Sequence, residues 1–273
     1  MTRSGEAQPG ARDQGSTNPG SARVELLAIP GLPDFKPGDD LAAIIAARAD
    51  TAGCTLRDGD IVVVAQKIVS KCEGAYVDLA DVIPGAHAVA LAARTGKDAR
   101  LVEVILTDTA EVLRAKEGVL IVAHRAGHVM ANAGIDVSNI PEHPGERVLK
   151  LPADADQSAL QLKSALREVA GVEVAVVIND SWGRAWRNGT VGHAVGVAGF
   201  PALWDRRGTA DIYGRALRVT EVGLADEIAA AASLLMGAAA ERQPVVIVRG
   251  YKLPAGAGSA RDLVRDKSLD LFR

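Results

Sequence analysis

Short apolar runs rich in Val, Ile and Leu alternate with Ala-rich amphipathic stretches from Val24 onward, and this alternation limits the possible folds more than any other feature. The runs are typical of buried strands, and the Ala-rich stretches repeat apolar residues at helical spacing. Such an alternation favours an α/β or α+β fold. The predicted strands are Val24–Ile29, Asp60–Ala65, Val119–Ala123, Val174–Ile178, Arg215–Thr220 and Val245–Val248. The predicted helices are Asp39–Ala49, Ala86–Thr95, Arg100–Arg114, Ser158–Val169 and Asp226–Ala240.

Composition divides the 273 residues into two tails and one long folded region. Residues 1–22 are rich in Gly, Pro, Ser and Gln, so we expect a disordered N-terminal tail. Residues 23–252 are expected to form the functional domain, in which the stretch Ile140–Gln157 is either a lobe boundary or an ordinary long loop. Residues 253–273 form a C-terminal tail whose amphipathic segment needs a partner surface to stay ordered.

Charge and composition exclude several classes of partner. The chain has 31 Lys and Arg against 34 Asp and Glu and only 3% aromatic residues, which argues against a nucleic-acid partner. No apolar run is long enough for a membrane span, and no signal segment opens the chain, so we expect no membrane partner. Two cysteines are too few for a disulfide framework. We therefore expect a cytoplasmic protein.

Several standard motifs are missing from the sequence. It contains neither a G-x-x-x-x-G-K-[ST] loop nor a G-x-G-x-x-G turn after a strand, so P-loop and Rossmann enzymes are not expected. Zinc is poorly supported, because the cysteines stand alone and no H-E-x-x-H occurs. His124 and His128 have helical spacing, but a strand-like run precedes them, and we do not expect them to bind a metal.

The most informative motif lies in the stretch 174–187, where a buried strand is followed by Asp180, Ser181 and a Gly/Arg loop. Ligands of open α/β sheets bind at the carboxyl ends of strands. The carboxylate and hydroxyl oxygens there suit Mg²⁺ or Mn²⁺, and Arg184 and Arg187 can hold phosphate oxygens. The alternative is that Asp180 caps the next turn and that both arginines are solvated.

A second motif, ANAGIDVSN at residues 131–139, places Asp136, Ser138 and Asn139 among small residues that let a ligand approach the backbone. Asp136 and Asp180 together could share one cation or bridge two, as phosphoryl-transfer sites require. The alternative is an ordinary Gly-Ile-Asp turn.

A third motif, QKIVSKCEG, begins at Gln66 directly after a predicted strand. Lys67 and Lys71 lie on one face if this segment is helical, as an anion site requires. The alternative is a solvated lysine pair. Cys72 has no base beside it in sequence and is expected to be a small buried residue.

A fourth motif, WDRRGTADIYG at residues 204–214, combines acids, arginines and glycines in a predicted loop. Glu221 follows the predicted strand Arg215–Thr220 and is a candidate for a third metal carboxylate. Asp226 and Glu227 are expected to complement the N-terminus of the next helix.

Taken in order, these segments resemble the coenzyme F420-0:L-glutamate ligase family, the gamma-glutamyl ligases of deazaflavin cofactor biosynthesis. The resemblance extends from about Val24 to Gly250 through QKIVSKCEG, ANAGIDVSNI, VVINDSWGRAWRNG, the RRG..D.YG loop, TEVGLADEIAAAASLLMG and PVVIVRG. It implies a GTP-dependent enzyme that adds L-glutamate to coenzyme F420-0 through an acyl phosphate, then adds gamma-linked glutamates, and releases GDP and phosphate. It also implies a two-lobed α/β ligase fold, neither Rossmann nor P-loop, and an intertwined homodimer.

The resemblance also implies roles for individual residues. Two divalent cations, Mg²⁺ or Mn²⁺, and a supporting K⁺ are expected. Asp136 and Asp180 resemble ligands of the first divalent cation, and Ser181 and Glu221 resemble ligands of the second. The residues that resemble GTP contacts are Leu32, Pro33, Asp34, Phe35, Gln66, Lys71 and Asn139. We hypothesise that Arg184 and Arg187 stabilise charge in the transition state.

Two departures and two alternatives accompany this resemblance. The family often has Asp-Thr at Asp180-Ser181 and an Asp at the position of Gly192, so the precursor accepted is left open. A metal-dependent nucleotide or phosphate-ester hydrolase would use the same aspartates with water as acceptor. A nucleotide-binding module without activity is the other alternative. The last segment resembles the junction to a nitroreductase-like domain in bacterial fusions, a domain that we do not expect within these residues.

Overall fold

The computed structural model describes residues 23–140 and 146–270, so the predicted N-terminal tail and the last three residues lie outside it. The fold is mixed α/β, as predicted, and none of the described sheets closes into a barrel. No helix in the described ranges is both long and apolar enough to cross a membrane.

Strands and helices alternate from β1 to β3, and two runs of consecutive strands, β4 to β7 and β8 to β11, follow later in the chain. The strands are β1 (Glu25–Ala28), β2 (Ile61–Ala65), β3 (Tyr76–Asp78), β4 (Thr109–Lys116), β5 (Val119–His124), β6 (Val129–Ala131), β7 (Arg147–Leu149), β8 (Ala175–Arg184), β9 (Arg187–Ala198), β10 (Trp204–Asp205), β11 (Glu221–Val222) and β12 (Val245–Arg249). The α-helices are α1 (Leu41–Thr51), α2 (Gln66–Cys72), α3 (Ala86–Thr95), α4 (Ala99–Thr107), α5 (Ala155–Ala170) and α6 (Leu224–Met236).

The central sheet has five strands in the order β1-β12-β2-β8-β9. Only β2 and β8 are parallel; the other neighbours are antiparallel, and β1 lies against β12 with Glu25 opposite Arg249. This mixed order differs from a doubly wound parallel sheet. Ala65 at the end of β2 lies opposite Asn179 of β8, so the residues that follow each of these positions meet at one edge of the sheet.

Apolar side chains cover both faces of the central sheet. In β2, Val62 and Val64 face a cluster that includes residues of α1 and α5, whereas Ile61 and Val63 face a cluster that includes residues of α6. Successive strand residues point to opposite faces, which is why a central strand buried on both sides is an unbroken apolar run. A third cluster lies between helices α3 and α4 and the sheet β4-β5-β6.

One predicted helix is too long, and one predicted strand is wrong. The predicted helix Arg100–Arg114 ends at Thr107, and Thr109 begins β4 instead. Its residues are adequate helix formers, but pairing with β5 outweighs that local preference. The predicted strand Arg215–Thr220 is a loop with one isolated bridge, and Asp211 holds it by accepting the backbone N–H of residue 215 at 2.9 Å.

The predicted Gly/Arg loop after Ser181 is also wrong, because β8 continues to Arg184 and β9 returns beside it. The predicted strand stopped at Ile178, where the structure has a register shift between Ile178 and Asn179. We call residues 180–193 the β8–β9 ribbon. The predicted helix Asp226–Ala240 ends earlier, at Met236.

The C-terminal segment packs on the rest of the fold, and we call residues 253–270 the C-terminal strap. Asp156, in the first turn of α5, accepts the Ser259 hydroxyl at 2.6 Å and the Ala260 N–H at 2.8 Å. Farther along, Lys267 pairs with Glu111 of β4 at 2.7 Å. The strap therefore contacts both the central sheet's helix layer and the three-stranded sheet.

Candidate functional site

A cavity of about 860 Å³ lies at the edge where β2 ends beside β8, and we call it the edge cavity. Its walls come from the loop at residues 32–35, from α2, from the β8–β9 ribbon and from the end of α6 with the segment after it. The edge position is where the sequence analysis placed the ligand site.

Asp136 lies behind this cavity, held by backbone bonds to Leu149 in both directions at 2.9 Å. Its carboxylate accepts the Gln66 amide at 2.6 Å and pairs with Lys67 at 3.0 Å, and both of these partners line the cavity. Burial raises the pKa of Asp136, while the charge of Lys67 opposes that shift. The motif at 131–139 thus reaches the site in two ways, because Asn139 lines the cavity and Asp136 contacts the α2 residues that line it.

Asp180 lies within β8 and lines the edge cavity together with Ser181. Burial raises its pKa to about 7, the nearby charge of Asp136 adds to the rise, and the Ser181 N–H, which donates to it at 2.8 Å, opposes it. Next to it, the buried Asn179 side-chain oxygen has no hydrogen-bond partner among the residues that the structure describes. Two carboxylates and this oxygen create a local demand for positive charge.

The raised pKa of Asp180 predicts pH-dependent stability of the metal-free protein. The pKa of this carboxyl is 3.8 ordinarily and about 7 in the folded protein, so the folded protein binds the proton more tightly. Ionising the carboxyl therefore lowers the free energy of unfolding as the pH rises from the first value to the second. We expect the melting temperature in EDTA to fall as the pH rises from about 4 to about 7, and to fall less in Asp180→Asn. Scanning fluorimetry measures both slopes; equal slopes would contradict the prediction.

The two lysines of α2 both reach the segment 136–139, as the predicted helical spacing requires. Lys67 pairs with Asp136, and Lys71 donates to the backbone carbonyl of Asn139 at 2.7 Å. Burial lowers the pKa of Lys71, and the neighbouring Asp34 opposes that effect. Both lysines line the edge cavity, where they present two positive charges to an anionic ligand.

The segment Leu32–Phe35 also lines the edge cavity. Leu32 and Phe35 belong to the core under the central sheet, so they fix the loop, while Pro33 and Asp34 are exposed. No pattern in the residues alone identified this segment, and only the family resemblance did. Gln66 and Asn139, also predicted from the resemblance, line the same cavity.

Three predicted residues lie away from the edge cavity. Glu221 pairs with Arg207 at 3.2 Å in the short β10–β11 sheet. Arg184 donates to the Gly189 carbonyl at 3.3 Å near the tip of the β8–β9 ribbon, and Arg187 is exposed there. Their predicted roles therefore stay predictions.

Among the other cavity residues, Asn179 and Arg242 had no signal in the sequence, and Gly192 stood out only as a departure from the family pattern. Asn179 donates to the Ser233 hydroxyl at 2.9 Å, which joins β8 to α6. Gly192 packs so closely on α6 that an added Cβ would lie 2.7 Å from the Ala229 carbonyl oxygen. An Asp at this position would require α6 to move. Arg242, beyond α6, lines the cavity as well.

His128 and His193 line a separate cavity of about 250 Å³ between β6, the β8–β9 ribbon and the C-terminal strap. His128 lines it, and its pKa is lowered to about 4, mainly by burial, which keeps the ring neutral. Trp182 stacks on His193 there at 4.1 Å between ring centroids. Within residues 23–140 and 146–270, no three His, Cys, Asp or Glu side chains are grouped to hold a metal ion.

The family model and the most similar proteins found by comparison all indicate the same family. The family model described as F420-0:Gamma-glutamyl ligase matches residues 31–250. A Coenzyme F420:L-glutamate ligase from Methanopyrus kandleri is 47% identical over 93% of this chain and 99% of its own length. Proteins of the same name from Methanothermobacter thermautotrophicus and Methanocaldococcus jannaschii are 45% and 42% identical, each over 92% of this chain and over 99% and 97% of their own lengths.

Proposed function

The chain belongs to the F420-0:gamma-glutamyl ligase family and is an enzyme of the ligase class, and we propose that it joins L-glutamate to coenzyme F420-0 with GTP as the energy source. Further glutamates would follow through gamma linkages. One observation carries the nucleotide part of the proposal: two lysines and two aspartates from separate parts of the chain meet at the edge cavity, which is lined by Leu32–Phe35.

In the proposed reaction, the precursor carboxylate attacks the terminal phosphorus of GTP, and an acyl phosphate forms as the bond to GDP breaks. The glutamate amine then attacks the acyl carbon, an amide forms, phosphate leaves, and the amine loses a proton to solvent. Lys67 and Lys71 would bind and orient the phosphates. Gln66 would fix the position of Asp136, to which its amide donates, and Asn139 would fix Lys71, which donates to its backbone carbonyl.

The residues at the cavity fit a divalent cation. Asp180, Asp136 and Ser181 offer the hard oxygen ligands that Mg²⁺ or Mn²⁺ prefers, and the unpartnered Asn179 oxygen adds another. Mg²⁺ commonly binds one or two carboxylates and completes its shell with substrate phosphates and water. A bound cation would supply charge stabilisation to the transferring phosphoryl group. We keep Glu221 as a proposed ligand of a second divalent cation, K⁺ as a proposed supporting ion, and Arg184 and Arg187 as proposed charge stabilisers.

A homodimer is also part of the proposal. The segment between β10 and β11 exposes large apolar side chains, Ile212, Tyr213 and Val219, which supports burial against a second copy. Light scattering should give twice the chain mass of 28.3 kDa. A monomer at micromolar concentration would contradict this part alone.

Mass spectrometry of the deazaflavin precursor tests the function. The protein is incubated with precursor, L-glutamate, GTP and Mn²⁺, and parallel samples omit each component or replace GTP with ATP. We expect a mass gain of whole glutamyl units only in the complete GTP mixture. Unchanged precursor with GTP still consumed would favour the hydrolase, and bound but unconsumed GTP would favour a nucleotide-binding module.

A further inference from the structure

Three side chains form a hydrogen-bonded chain from the interior of the protein to the edge cavity. The Ser70 hydroxyl donates to Oε1 of Gln66 at 2.9 Å, and Nε2 of Gln66 donates to Oδ2 of Asp136 at 2.6 Å. Ser70 and Gln66 are four positions apart in α2, which places them on one face of that helix. We call these three residues the Ser70 relay.

The first two members of the Ser70 relay are buried although both are polar. Ser70 is 0% exposed and Gln66 is 1% exposed. Burying a polar group without a hydrogen bond is costly, so each bond of the relay satisfies a group that bulk water does not reach. The same helix buries Ile68 and Val69 in the core, where apolar side chains are the ordinary solution. The polar pair therefore indicates a role beyond packing.

The relay fixes the orientation of the Gln66 amide. A Gln side chain has one oxygen that only accepts and one nitrogen that only donates. Because the Ser70 hydroxyl donates to the oxygen, the nitrogen is directed at Asp136, whose ionised carboxylate only accepts. The reverse orientation would place the amide oxygen against a carboxylate oxygen.

The two oxygens of Asp136 have different partners. Gln66 donates to Oδ2, while Nζ of Lys67 lies 3.0 Å from Oδ1. Gln66 is fixed in the core, whereas the Lys67 side chain is 27% exposed and flexible, so it can turn to a phosphate in the cavity. Oδ1 is therefore the oxygen that Asp136 can offer to a cation.

We propose that Ser70 is a positioning residue for the cation site: through the Gln66 amide, it holds the Asp136 carboxylate so that Oδ1 is available to a divalent cation. The inference rests on the proposed function, in which Asp136 is a ligand of that cation. Without the Ser70 hydroxyl, Oε1 of Gln66 would be buried without a donor, which is costly. Rotation of the amide toward the edge cavity would relieve that cost and would break the bond to Asp136.

Calorimetric titration of the metal-free full chain with Mn²⁺, with and without GDP, tests the proposal. Ser70→Ala removes the hydroxyl, and Ser70→Thr retains one. Gln66→Met, alone and combined with Ser70→Ala, tests whether Ser70 acts through Gln66. The matched control is Thr95→Val, which removes a hydroxyl of α3 that is 1% exposed and donates to the Leu91 carbonyl at 2.8 Å, outside the relay.

Ser70→Ala should weaken Mn²⁺ binding by about tenfold or more, the usual effect of removing a group that supports a metal ligand. Ser70→Thr should keep most of the affinity. In the Gln66→Met background, Ser70→Ala should have no further effect, because residues that act through one another are not additive. Thr95→Val should lower the melting temperature and leave Mn²⁺ binding unchanged. A higher Mn²⁺ concentration should recover the ligation rate of Ser70→Ala.

Two results would overturn the proposal. Unchanged Mn²⁺ affinity in folded Ser70→Ala would reduce Ser70 to a packing residue, and an equal loss with and without the Gln66 amide would show that Ser70 does not act through it. If Ser70→Ala does not fold, Ser70→Cys replaces it, since a thiol is a weak donor of similar size. If the wild type binds Mn²⁺ and ligates glutamate, failure concerns this inference alone; if it binds no Mn²⁺ with or without GDP, the proposed cation site fails with it.

Discussion

Asp180→Asn is expected to reduce glutamate ligation by about a thousandfold or more, because it removes a charged ligand from the proposed cation site. The amide has nearly the same shape as the carboxyl, so the fold should be retained. In metal-free buffer the variant should melt at a higher temperature than the wild type, since a buried carboxyl with a raised pKa is no longer ionised. Wild type should gain melting temperature from Mn²⁺ with GDP, and the variant should gain little.

Ligation rates by mass spectrometry and melting curves with and without Mn²⁺ measure these effects together. Asp50→Asn, an exposed acid of α1, makes the same chemical change far from the edge cavity and should behave as wild type. An Asp180→Asn variant with near-normal ligation would remove Asp180 from the proposed site.

Gly196→Val is expected to destabilise the fold strongly. A Cβ at Gly196 of β9 would overlap the Ala155 carbonyl of α5, and because the obstacle is backbone it cannot turn aside. The α5 N-terminus is also tied to β9, since Asp156 accepts the Val197 N–H at 2.9 Å. Overpacking of this kind costs about 3 kcal/mol or more, a large share of a typical folding free energy of about 5–15 kcal/mol.

Urea denaturation of purified protein measures the loss, and recovery in the insoluble fraction reports it if the variant does not fold. Gly183→Val is the matched control, because a Cβ at Gly183 of β8 meets no atom within 4 Å and its backbone is not left-handed. If the two variants had equal denaturation midpoints, close packing of β9 on α5 would not be a determinant of stability.

Strands buried on both faces were the best predicted part of the fold. The runs around Val62 and Val176 have one stable solution, an interior position in a sheet, so periodicity located them. The prediction for Thr109–Lys116 was wrong because half-exposed strands contain residues that also suit helices. Pairing with β5 makes this segment a strand. The prediction beyond Ser181 was wrong because Gly and Arg by themselves favour a loop, whereas here the partner strand β9 pairs with them.

In the site as well, residues within a local sequence pattern were predicted, and residues brought together by distant contacts were not. Asp180 stood out because it follows a buried apolar strand, Asp136 because small residues surround it, and Lys71 because it has helical spacing with Lys67. Arg242 gave no signal, since its meeting with Asp34 depends on how the chain returns to the cavity after α6. Pairings between residues far apart in sequence arise from topology, and a local pattern does not contain them.

The neighbouring positions of β1 and β12 have a consequence for protein engineering. Because Glu25 lies opposite Arg249, the sheet receives its first strand and releases its last strand at the same place. Folds with adjacent ends commonly accept circular permutation and insertion into a host protein. Joining these two points directly would omit the C-terminal strap, so the linker of a permuted protein should begin after the strap, with the new termini at the exposed tip of the β8–β9 ribbon.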